Sequence, residues 1–145
     1  MRVLAAWLGD KDIDIARAKK CSPVGPIAQA LAVDKYDLLL LLVDRPKKVG
    51  DEYIDWLNGV VSMAVEPVHT KLSSPTNYLE IYKSASSALE NIGTFEKTDG
   101  GKKFLTKNKE KEIELTFHLT PGTPAMSAIW IILGSTKYPA QLIQT

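Results

Sequence analysis

One cysteine, two histidines and a net charge of +1 leave this 145-residue chain without the materials for several functions. Cys21 alone can build neither an internal disulfide nor a cysteine-rich zinc site, which points to a reducing, cytoplasmic setting. With 18 Lys and Arg against 17 Asp and Glu, no global field draws in nucleic acid, so any anion site has to be local. No segment approaches the twenty or so apolar residues of a membrane-spanning helix, and the opening MRVLAAWLGDKD lacks the basic leader and apolar core of a signal peptide. Walker-type and GxGxxG loops, metal-spaced histidines and a nucleophile with an evident base are all missing. No catalytic residue, metal or cofactor is therefore assigned, and no internal repeat is found.

What the chain has is 45% hydrophobic residues in an ordered pattern. The runs RVLAAWL (2–8) and YDLLLLLV (36–43) are nearly continuously apolar, as strands covered on both faces are. A polar stretch and then GPIAQALA follow the first; DEYIDWLNGVV follows the second, with Ile54, Leu57 and Val61 on one helical face. EPVHTKL reads as a third strand. The segment after it carries Tyr78, Ile81, Tyr82, Ala85, Leu89 and Ile92 in a helical stripe that stops at Gly93. Asp99-Gly100-Gly101, set among lysines, signals a protruding hairpin or mobile loop. EIELTFHL alternates as a strand, SAIWIILG is apolar nearly all round and is expected to be deeply packed, and PAQLIQT resembles a final strand. Strands alternating with helices predict an α/β fold: one domain over 1–145 with a mostly parallel sheet and helices on both faces.

Three segments share one construction. Ser22-Pro23-Val24-Gly25-Pro26, Ser73-Ser74-Pro75-Thr76 and Thr120-Pro121-Gly122-Thr123-Pro124 each place a capping residue before a proline suited to the first helical position. All three are expected to start helices on the carboxyl edge of the sheet, where open α/β folds bind ligands, and their free N–H groups would together cradle an anion. Caps of this kind also stabilise helices without any ligand. Gly122 permits a close backbone approach or, alternatively, a tight turn. Arg45, Lys47 and Lys48 leave the second strand on the same edge and are placed to neutralise phosphate or simply to be solvated. Trp7 and Met126 suit either a base pocket or the core, while Trp56 and Trp130 fall in helical patterns and read as packing. His69 and His118 fall near strand ends and would stand close if those strands were neighbours.

HLTPGTPAMSAIWIILGSTKYPAQLIQT, with KLSSPTNYLEIY and the first strand ending in Trp7-Leu8-Gly9, resembles the CARF domain, the CRISPR-associated Rossmann fold. The likeness is greatest to the N-terminal sensory domains of RNA-repair-type bacterial enhancer-binding regulators. The loop after the fourth main strand is similar to the family's Leu-Thr-Gly-Gly-Thr-Lys-Pro-Met type, with Pro121 and Pro124 in place of a glycine and the lysine, and His118 where an acidic residue is common. The resemblance implies a Rossmann-like homodimer that binds a cyclic oligoadenylate, cyclic tetra-adenylate being favoured, across its two-fold axis. It also implies regulation of a covalently attached effector, expected beyond residue 145, in type III CRISPR antiviral defence. The ligand-binding positions carried over are Leu8, Gly9 and Asp10 after the first strand and Thr120, Gly122, Thr123 and Met126 after the fourth, with Ser74 and Thr76 contributing from the start of the third helix. Two alternatives stay open: a sensor of RNA ends bearing a 2′,3′-cyclic phosphate, and a ring nuclease that degrades cyclic oligoadenylate.

Overall fold

The two nearly continuous apolar runs become β1 (Arg2–Trp7) and, after α1 (Asp10–Arg17) and α2 (Pro26–Val33), β2 (Leu38–Val43) in the computed structural model, which describes residues 1–145. Next come α3 (Lys47–Val60), β3 (Val65–His69) and α4 (Tyr78–Ile92). A hairpin of β4 (Gly93–Thr98) and β5 (Gly101–Thr106) precedes β6 (Glu114–His118), α5 (Pro124–Ser135) and β7 (Ala140–Ile143). Five strands form one sheet in the order β3-β2-β1-β6-β7, and every neighbouring pair is parallel. The chain thus adopts the expected Rossmann-like α/β fold, with a sheet parallel throughout.

Both faces of that sheet are covered, which explains the unbroken apolar runs. Val3, Ala5, Trp7, Leu40 and Leu42 pack towards α4 and α5. Leu4, Ala6, Leu8, Leu39, Leu41 and Val43 pack towards α1, α2 and α3. Residues Leu39 to Val43 are wholly buried, and each such side chain contributes about 1.5–3 kcal/mol of transfer free energy. β6 alternates in sequence, yet Leu115, Thr116, Phe117 and His118 are all buried, because it lies inside the sheet between β1 and β7. Phe117 stacks on Trp130 of α5 with ring centroids 4.4 Å apart.

Several expectations need correction. The polar stretch after β1 is not a loop but the helix α1, whose buried residues are Ile13 and the carboxylate Asp12. An apolar stripe was too thin there to announce a helix. α5 is not packed all round: Ile131 and Ile132 are 45% and 48% exposed, since the sheet covers only one side of the helix. Tyr78, the first member of the expected α4 stripe, is also exposed, whereas Ile81, Ala85 and Leu89 are buried. The hairpin forms as expected, and its Phe95 and Phe104 dock on Tyr138 with centroids 5.6 and 5.7 Å away. His69 and His118 are not neighbours, because β2 and β1 separate their strands; three strand spacings put them on the order of 14 Å apart. No helix is long and apolar enough to cross a membrane.

Candidate functional site

β1 pairs with β2 on one side and with β6 on the other, and the chain covers opposite faces after each. α1 leaves β1 towards one layer and α5 leaves β6 towards the other. The carboxyl ends of β1 and β6 are therefore a topological switch point, where diverging loops leave a crevice. A cleft of about 570 Å³ opens there. Leu8, Gly9, Asp10, Thr120, Gly122, Thr123 and Met126 all line it, so the two loops identified from sequence meet as expected. Ser74 and Thr76 do not line it. They flank Pro75, which does, and their hydroxyls bond each other at 2.9 Å on the exposed rim.

The glycines explain how two loops come so close. A Cβ on Gly9 would stand 2.7 Å from the backbone nitrogen of Gly122, so only glycine allows this contact. Gly122 has φ near +90°, in the region that disfavours a side chain. A Cβ there would stand 2.6 Å from Met126 Sδ and 3.3 Å from Trp7 Cβ, which makes the glycine first a device for loop packing.

The three expected helix starts divide. At α5, Thr123 is the N-cap and Pro124 holds the first helical position, as expected: the Thr123 hydroxyl accepts from Met126 N–H at 3.3 Å and donates to the Pro75 carbonyl at 2.7 Å. At α4 the cap is Asn77, not Ser74, and accepts from Glu80 N–H at 3.1 Å. Glu80 also takes the N–H and hydroxyl of Ser73, so that helix start already holds a carboxylate. At α2 the cap is Gly25, and the free N–H of Ile27 is taken by Asp12 at 3.1 Å. The helix starts with unpaired amides at the cleft are accordingly those of α5 and of α1, the second of which the sequence did not announce. Asp10, Lys11 and Ala125 offer N–H groups with no protein acceptor at these two termini.

Asp12 is the principal residue missed. It is 1% exposed and accepts N–H bonds from Ile27 and, at 3.4 Å, from Gly9. Burial pushes its carboxyl up to about 6, partly offset by those two bonds. The nearby Tyr53 hydroxyl, buried without a partner, is pushed upwards by burial and by the Asp12 charge. The available signal was an acidic residue three positions after Gly9, the spacing of a capping box. Lys11, Pro26, Asp44, Pro75 and Pro121 also line the cleft, and so does Arg45, whose guanidinium pairs with Asp10 at 2.6 Å.

His118 is fully buried beneath the cleft. Its Nε2 lies 2.9 Å from the Pro26 carbonyl, which can only accept, so Nε2 carries the proton and Nδ1 accepts from Thr120 N–H at 3.3 Å. Burial lowers its pKa, in keeping with this neutral form. Both ring nitrogens are engaged, and His118 acts as a strut between α2 and the Thr120 loop. Trp7 and Trp130 are wholly buried core residues.

Thr123→Val removes both bonds of the latch to Pro75 and α5. Stability should fall by about 1–2 kcal/mol in thermal melts, because the Pro75 wall is released from α5. A variant that melts as the parent does would refute the latch.

No family model matches the sequence, and no curated protein matches it. Among solved structures, Enterococcus italicus Csm6 bound to cyclic hexa-2′-fluoro-hexa-dAMP matches with a TM-score of 0.65 and 12% identity, over 99% of this chain and 33% of the Csm6 chain. At that identity the likeness is one of fold, and this chain spans about a third of the length of Csm6. The CARF resemblance is supported at the level of fold.

Proposed function

We propose that this chain is a CARF-type sensory domain that binds a cyclic oligoadenylate in the carboxyl-edge cleft. In this reading two copies join their clefts across a two-fold axis. Binding regulates a covalently attached effector in type III CRISPR antiviral defence in the cytoplasm. The observation that carries it is the meeting of the β1 and β6 loops, Gly9 against Gly122, beneath the free amides of α1 and α5. Helix amides hold phosphodiesters without large net charge. Leu8, Met126, Pro26, Pro75 and Pro121 supply apolar walls against which adenine rings can lie. The fold neighbour Csm6, in its structure with a cyclic hexanucleotide analogue, supports the ligand class. Ile131 and Ile132 on α5 and Leu79 on α4 are exposed apolar side chains that a second copy could cover.

Calorimetry with cyclic tri-, tetra- and hexa-adenylate and with RNA ending in a 2′,3′-cyclic phosphate tests the reading. Saturable binding of one ring per two chains is expected, with cyclic tetra-adenylate preferred. Silence with every ring, together with binding of the RNA end, would replace it by the RNA-end sensor. Chromatography of the recovered ring reads the remaining alternative: an intact ring marks a receptor, a linear product a ring nuclease.

A further inference from the structure

The cleft does not stop at Arg45. Beyond it lies a second cavity of about 480 Å³ that shares Asp44 and Arg45 with the first and adds Lys47, His69 and Lys71. It sits over the carboxyl ends of β2 and β3, so the two cavities form one trough along the same sheet edge.

Charge is distributed unevenly along that trough. Around the cleft proper, Lys11 and Arg45 face the carboxylates of Asp10, Asp12 and Asp44. In the arm, Arg45, Lys47 and Lys71 line the wall with Asp44 as the one carboxylate; Lys47 lies 4.0 Å from Asp51 outside it, and one oxygen of Asp44 already accepts the N–H of Leu72 at 3.1 Å. An anion meets more attraction in the arm than on the floor of the cleft. Arg45 stands on the boundary. Its partner Asp10 has a side chain 82% exposed, and an exposed ion pair contributes little net stability, so exchanging that carboxylate for a phosphate is inexpensive. The guanidinium fork also matches two phosphate oxygens at once, which a lysine cannot do.

We propose that the arm is a phosphate subsite of the cleft: the bound nucleotide places a backbone phosphate against Arg45 and Lys71, and Arg45 leaves Asp10 to meet it. This rests on the oligoadenylate reading and deepens it, because it puts a phosphate outside the helix-amide cradle and makes Arg45 a determinant of affinity. Asp10 remains at the start of α1, where a carboxylate complements the helix dipole.

The test measures affinity of the full chain for cyclic tetra- and hexa-adenylate at several salt concentrations, in the parent and in Arg45→Ala, Lys71→Ala and Lys48→Ala. Lys48 belongs to the same basic stretch but lines neither cavity, so it controls for net charge. Arg45→Ala and Lys71→Ala should each weaken binding about tenfold and flatten the logarithmic salt dependence by roughly 0.7. Lys48→Ala should do neither, and all three should melt as the parent does. If the parent binds and all three variants bind like it, the subsite is refuted while the oligoadenylate reading stands. If the parent binds neither ring, the underlying reading falls and the subsite with it.

Discussion

Gly122→Ala is expected to lower stability by about 2–6 kcal/mol and to abolish the proposed nucleotide binding. Two independent costs combine. A side chain at φ near +90° is strained by about 1–3 kcal/mol. The new Cβ would also stand 2.6 Å from Met126 Sδ and 3.3 Å from Trp7 Cβ. Met126 cannot yield freely, being 4% exposed with its sulfur accepting the Thr123 N–H at 3.4 Å; Trp7 is fully buried. Overpacking of this kind adds about 1–3 kcal/mol. The loop must lift, and its contact with Gly9 is lost, so the cleft loses the geometry that brings α1 and α5 together. Gly100→Ala is the control: a Cβ there meets nothing within 4 Å, and the change should stay within about 0.5 kcal/mol. Urea denaturation of both variants and calorimetry with cyclic tetra-adenylate give the answer. Equal stability of the two would mean that the loop packing does not hold the site.

The second large effect is a pH dependence centred on Asp12. Its carboxyl stays protonated in the folded protein up to about 6, against an ordinary value of 3.8. Below pH 4 both folded and unfolded chains hold this proton. Between pH 4 and 6 the unfolded chain releases it first, so stability falls as pH rises, by roughly 3 kcal/mol in total. Above that window the loss is complete and the contribution is flat. His118 acts in the opposite sense: buried and neutral, it is held below its ordinary pKa, so its contribution is lost as pH falls through the unfolded value near 6.5. Asp12→Asn therefore has a distinctive signature. The falling limb between pH 4 and 6 should vanish, leaving the rising limb of His118. The asparagine oxygen can accept from Ile27, but its NH₂ would face the Gly9 N–H and lower stability at pH 4. Urea midpoints from pH 4 to 8 for parent and variant decide the matter, and superimposable profiles would show that Asp12 is not the titrating group. Because Asp12 lines the cleft, an anionic ligand should also bind more tightly as pH drops through about 6, with proton uptake visible in calorimetry across buffers.

Features set by near neighbours in the chain are legible in the sequence, and features set by distant ones are not. Leu38 to Val43 is legible as a buried strand because its environment is apolar on both faces, and the α4 stripe is legible because helical periodicity repeats over fifteen residues. The Thr123 cap is legible because the cap and Pro124 are adjacent in sequence. α1 was not, since its anchor is a buried carboxylate and its apolar positions are few. The start of α4 was misplaced because Pro75 stands in a turn closed by Asn77 N–H on the Ser74 carbonyl at 3.1 Å, a local alternative that the same residues equally allow.

Local chemistry in the sequence thus determined the elements other than α1 and the exact start of α4, including the all-apolar strands, the hairpin and the two loops most suited to a ligand. Strand order, the pairing of β1 with β6, the insertion of Asp12 at the start of α2 and the shared boundary at Arg45 were decided only in the tertiary structure. Each of those joins residues at least fifteen positions apart. Periodicity and capping report on neighbours within a few residues, whereas a cleft is made by which distant chain ends the packed sheet brings together.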